Sequence, residues 1–179
     1  MAKFRRYRKY TRRGRTRWSS NILDIGPSTF TLSELSGWNH TEVTLITNPD
    51  YSSSLTSNLY TIKNVEVSLN FNADANQLFN YIDNLQFYIM YVPQGMFVGQ
   101  DYAIKHPEYI MAMRYYGDPG SDSGNAPYTH TPIRIKTRLS RKLNTGDKII
   151  LLIRAANTNA TQTGQTVYGG VCRWWTKAN

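Results

Sequence analysis

Two stretches of this chain, Leu85–Val92 (LQFYIMYV) and Lys148–Ala155 (KIILLIRA), are apolar at nearly every position, yet each spans only eight residues. Runs that short suit strands covered on both faces better than helices buried all round. A third stretch, Val65–Phe71, alternates apolar odd positions with polar even ones, the period of a half-buried strand. Just upstream the phase breaks around Lys63-Asn64, which predicts a β-bulge. Ile133–Leu139 alternates again, placing Ile133, Ile135 and Leu139 on one face and Arg134, Lys136 and Arg138 on the other. Val167–Trp175 closes the set, and further strands are expected at Ser19–Ile25, Phe30–Leu32, Thr41–Thr47 and Tyr109–Tyr116. A single helical turn is expected at His106-Pro107-Glu108, because proline suits the first helical position.

The separators are turn chemistry: Asn48-Pro49-Asp50, Pro93-Gln94-Gly95, the long loop Gly117–Pro127, the tight turn Asn144–Asp147 and the polar loop Asn157–Gln165. About eight strands, with both-face burial in the centre, argue an all-β two-sheet antiparallel sandwich or a closed barrel. The eight-stranded jelly roll fits the count.

Charge divides the chain differently. Of 21 Lys and Arg, nine fall within residues 1–17: Lys3, Arg5, Arg6, Arg8, Lys9, Arg12, Arg13, Arg15 and Arg17. No acid accompanies them, and the other 12 cations are matched by all 12 Asp and Glu, so the whole formal charge of +9 resides in this arm. Such a block repels itself and holds too few apolar residues to fold, so residues 1–18 read as a disordered basic arm and residues 19–179 as one β domain. Arg and Lys at this density neutralise phosphates and release counterions without reading sequence. The interleaved Tyr7 and Tyr10 offer flat faces to unpaired bases, so these nine cations and two tyrosines are the expected nucleic-acid contacts. The same run satisfies a nuclear-localisation signal.

Other chemistry is poorly represented. The one cysteine, Cys172, excludes an internal disulfide framework and reads as a small buried hydrophobe. His40, His106 and His130 lie far apart; His106 with Glu108 and Asp101 is the nearest thing to a cluster. No phosphate loop, dinucleotide fingerprint, HExxH or GxSxG occurs. Neither a membrane span nor a secretory leader is expected, and no catalytic, metal or cofactor site is assigned. The stripe Arg134, Lys136, Arg138, Arg141 and Lys142 has two readings: a second nucleic-acid surface, or a set of partners for Glu66, Asp74 and other acids. Trp174-Trp175 likewise reads as core or subunit packing, or as a base-stacking platform.

Three segments carry a resemblance: HPEYIMAMRY at His106–Tyr115 followed by Gly117, RLSRKLNTGD at Arg138–Asp147 running into Ile149–Ile153, and RWWTKAN at Arg173–Asn179. Together with the arm they resemble the capsid proteins of circular, Rep-encoding single-stranded DNA viruses, the circovirus-like or CRESS-DNA group. The likeness covers the arm and roughly residues 60–179. It implies a jelly-roll subunit, 60 of which form a T=1 icosahedral shell around a circular single-stranded DNA genome. It also implies inward-pointing arms, recognition of the basic run by host nuclear import receptors, and a location in the virion and, during assembly, the host nucleus. The choice of DNA over RNA comes from the resemblance alone. This sequence is much shorter than those of true circoviruses, so no surface loop, receptor site or antigenic site is carried over. Two other classes stay open: a non-assembling β-barrel that binds nucleic acid, and an enzyme on a β-sandwich that would need a convergent set of acids or histidines.

Overall fold

The computed structural model describes residues 18–32, 37–48, 60–73, 82–116, 132–157 and 164–178. Nine strands account for most of them: β1 (Ser19–Leu32), β2 (Gly37–Thr47), β3 (Tyr60–Ala73), β4 (Ile82–Val92), β5 (Ile110–Tyr116), β6 (Ile133–Lys136), β7 (Ser140–Leu143), β8 (Lys148–Asn157) and β9 (Gly164–Ala178). One sheet runs β1-β9-β3-β6, with β7 also paired to β3; the other runs β2-β8-β4-β5. All pairings are antiparallel.

Strands β6 and β7 lie end to end along β3, opposite Glu66–Leu69 and Tyr60–Lys63 respectively. Taken as one interrupted strand they bring the count to eight, and lettering these B to I along the chain gives the sheets B-I-D-G and C-H-E-F. This is the jelly roll expected from the sequence. Residues 1–17 of the expected arm, with their expected disorder, lie outside the described residues, as do the Gly117–Pro127 loop and most of Asn157–Gln165.

The core lies between the sheets. From the first it takes Ile25, Ile62, Val65, Val67, Leu69, Ile133, Ile135 and Cys172, and from the second Leu45, Phe87, Ile89, Ile149, Leu151 and Ile153. Leu85–Val92 and Lys148–Ala155 are buried on both faces, as their composition requires. Their outward residues Tyr88, Met90, Val92, Ile150 and Leu152 pack beneath Val98, Tyr102 and Ala103. That cover is helix α1 (Tyr102–Lys105), followed by a 3-10 turn at Pro107–Tyr109 that places Pro107 where a helical turn begins. Arg154, also outward on β8, is only 1% exposed. Its guanidinium lies 4.3 Å from the Trp38 ring centroid, donates to Gln86 Oε1 at 3.2 Å and sits 3.6 Å from Asp101, just ahead of α1.

The expected bulge is present. Asn64 has φ 52, and between Lys63 and Glu66 the pairing with β9 slips by one residue. The extra residue lets Ile62 and Val65 both point inward, reconciling the two phases of the sequence. It also dictates the break between β6 and β7. Thr137 carries the register one pair further, donating its N–H to Val65 O at 2.9 Å, and its Oγ1 then accepts the Leu139 N–H at 3.0 Å as the chain leaves the ladder. Leu139 therefore sits outside the core at 55% exposure, contrary to its place in the sequence alternation.

The Asn144–Asp147 turn ties three elements together. The Asp147 carboxylate accepts the Tyr91 hydroxyl at 2.6 Å, the Asn144 N–H at 2.8 Å and the Gln94 N–H at 3.1 Å. Asn48, at the end of β2, donates its N–H to Asp147 O and accepts from the Gly146 N–H. Gly146 has φ +80, the left-handed region that glycine enters without strain. Burial, reinforced by the Asp147 bond, pushes the Tyr91 hydroxyl up to about 12, so it remains a donor through neutral pH. Asp147→Ala is expected to leave three donors without their acceptor and to remove about 3 kcal/mol. Thermal unfolding should register this as a fall in Tm of roughly 6–12 °C.

Candidate nucleic-acid interface

The first sheet alternates buried and outward residues, so the register defines its outer face. One row across β1, β9, β3 and β6 is Ile22, Arg173, Glu66, Lys136; the next is Asp24, Val171, Ser68, Arg134. On the other side of the bulge the rows are Ser20, Trp175, Lys63 and then Lys177, Thr61, Lys142. Six cations therefore share one face: Lys63, Arg134, Lys136, Lys142, Arg173 and Lys177. Among the described residues of these rows, Asp24 and Glu66 are the acids. Lys136 lies 3.5 Å from Glu66, one of the partners anticipated for it.

Half of the 12 cations beyond the arm thus lie on a single surface, although residues 18–179 are formally neutral. A chain-wide count averages over this polarity, which emerges only when the topology brings β3, β6, β7 and β9 side by side. Arg134, Lys136, Arg173 and Lys142 are exposed; Lys63 and Lys177 are half-buried.

The stripe predicted from sequence is divided. Arg134, Lys136 and Lys142 belong to the outer face, whereas Arg138 is exposed in the connection between β6 and β7. Arg141 leaves the set. It shares the inward phase of Leu143, and its guanidinium lies 4.2 Å from the ring centroid of Tyr91 and 5.9 Å from that of Tyr109. Its cation is taken up by aromatic faces at the margin of the core. The physical reason is parity: position 141 is odd, like the inward Ile133, Ile135 and Leu143, whereas Arg134, Lys136 and Lys142 are even, and the β6–β7 break leaves that phase unchanged.

The paired tryptophans separate as well. Trp174 packs against the core between the sheets, while Trp175 is half-buried on the outer face between Ser20 and Lys63. Trp18, the last residue of the expected arm, is described, with the Lys63 Nζ 3.9 Å from its ring centroid, so the body begins one residue earlier than the sequence boundary. The arm thus joins the body on the cation-rich side. The arm residues Lys3, Arg5, Arg6, Tyr7, Arg8, Lys9, Tyr10, Arg12, Arg13, Arg15 and Arg17 lie outside the described residues.

Elsewhere the chemistry is structural. Burial pushes the Cys172 thiol up to about 12, which leaves it protonated and unreactive at neutral pH. The loose cluster around His106 divides: His106 Nδ1 lies 3.3 Å from Glu108, whereas Asp101 lies beside Arg154. Among the described residues, no group of three or more His, Cys, Asp or Glu side chains is placed to hold a metal ion. Nor is any helix there long and apolar enough to cross a membrane.

No protein-family model matches the sequence, and no curated protein matches it. Among solved structures, the fold is similar to a chain in an asymmetric focused reconstruction of the human norovirus GI.7 Houston strain VLP asymmetric unit in T=3 symmetry. The identity is 13%, the TM-score is 0.41, and the match covers 88% of this chain but 32% of the norovirus one. The present chain thus spans about a third of the length of that relative in fold.

Proposed function

We propose that this chain is a structural subunit of a viral capsid that associates with copies of itself and packages a single-stranded genome through its basic arm. The observation that carries the reading is a conjunction: a jelly-roll sandwich whose first strand is preceded by nine cations in 17 residues. Jelly rolls serve capsids, lectins and cupins. Of these, a shell enclosing a polyanion gives such a leader a use. The three sequence segments similar to circovirus-like capsid proteins refine the proposal to a T=1 shell of 60 subunits around circular DNA. They also bring import of the subunit into the host nucleus before assembly, through the same basic run.

Self-association has apolar surface to draw on. Phe97 is 89% exposed, Ile104 64%, Met113 59% and Tyr115 51%. Met113 and Tyr115 lie on β5, one of the two edge strands of the second sheet. Burying such residues between copies is the ordinary chemistry of a symmetric interface.

Size-exclusion chromatography and electron microscopy of the purified full chain test the proposal, with closed particles of uniform diameter as the expected result. Monomers at every salt and protein concentration would overturn it. They would select the second reading, a non-assembling nucleic-acid-binding module, which the cation-rich face also favours because such modules carry their basic residues on one surface.

A further inference from the structure

We infer that the outer face of the β1-β9-β3-β6 sheet is a second nucleic-acid-binding surface, built by the folded body and selective for unpaired strands. The inference rests on the packaging reading and deepens it by adding residues that the arm does not supply. Three observations converge on this face. Among its described residues it gathers six cations against two carboxylates, so its field attracts a polyanion although the body as a whole is neutral. The arm enters at Trp18, which Lys63 holds on this side, so a strand gripped by the arm is delivered here. Finally, Trp175 offers a half-buried ring among these cations, with Lys63 beside it across the strand pair.

An indole ring flanked by cations is the arrangement that stacks an unpaired base while the neighbouring side chains take its phosphates. A duplex keeps its bases stacked on one another and would meet only the cations. Arg173 and Lys136 flank Glu66 in one row, and Arg134 stands in the next, about two residues or 6.6 Å along the strands. A backbone lying obliquely over the sheet can therefore touch several cations in succession while a base rests on Trp175.

The test uses the full chain and oligodeoxythymidylate. Ultraviolet cross-linking followed by peptide mass spectrometry is expected to give adducts on the peptide containing Trp175 as well as within residues 1–17. Arg134→Ala with Arg173→Ala, both exposed and away from the core, should flatten the dependence of log K on log salt by about 0.7 per lost contact. Trp175→Ala should weaken binding about 5- to 150-fold with the salt slope unchanged, and Trp175→Phe should restore most of it. Duplex DNA should lose little from either tryptophan change.

Adducts confined to residues 1–17, with unaltered slopes in the double variant, would overturn the inference and leave the packaging reading standing. Protection of Arg134, Lys136 and Arg173 in particles free of nucleic acid would assign the face to a subunit contact and overturn it equally. Absence of binding to any polynucleotide would remove the packaging reading, and this surface with it.

Discussion

Deleting residues 2–17 is expected to strip the protein of most of its affinity for single-stranded nucleic acid, by several orders of magnitude at low salt. Each phosphate neutralised contributes about 0.7 to the slope of log K against log salt for a single strand, so nine fewer cations lower that slope by up to about 6. Particles formed by the shortened chain should lack the absorbance of packaged nucleic acid. The fold should survive, because the core residues all lie beyond the deletion and the body's own charge balances. Filter binding across a salt series, with circular dichroism as the control for folding, checks both halves. An unchanged slope would place the polyanion site elsewhere on the molecule.

The second large effect concerns a single backbone position. Gly170 lies on β9 between Ile25 of β1 and Leu69 of β3, and a Cβ built there would overlap the Ser68 carbonyl oxygen and crowd the Leu69 Cα. Both obstacles are main chain, in the middle of the sheet, so no change of rotamer relieves the clash. Gly170→Ala is expected to remove about 3 kcal/mol or more, and Gly170→Val to prevent folding. Gly99→Ala is the matched control: nothing lies within 4 Å of its Cβ position, and stability should stay within about 0.5 kcal/mol of the parent. Chemical denaturation of both variants makes the comparison. A wild-type midpoint for Gly170→Ala would mean that β9 and β3 pack less closely than described.

Local patterns made much of this architecture legible. The both-face apolar runs gave β4 and β8, the phase break at Lys63-Asn64 gave the bulge, and proline at 107 gave the short helical turn. What escaped depends on partners rather than on local sequence. The alternation Ile133, Ile135, Leu139 continues smoothly in the chain, but beside the bulge in β3 residues 138–139 lose their ladder, so Leu139 leaves the core, while Arg141 keeps the inward phase of the odd positions. Helix α1, four residues long, is too brief to show a helical period. Arg154 interrupts an otherwise apolar run, and its burial depends on Trp38 and Asp101, which are remote in sequence. The cation-rich face escaped for the same reason. Lys63, Arg134 and Arg173 are far apart along the chain and become neighbours only through the strand order.

The contact between Lys63 and Trp18 fixes the root of the leader. A tether of 17 residues, fully stretched, reaches at most about 60 Å from that anchor. On the packaging reading, cations held within such a volume would meet a polymer bound at the sheet at about millimolar local concentration, so release from the sheet would be followed by recapture before escape. A short leader on a fixed post would therefore act as an avidity device, its grip set by reach as much as by charge.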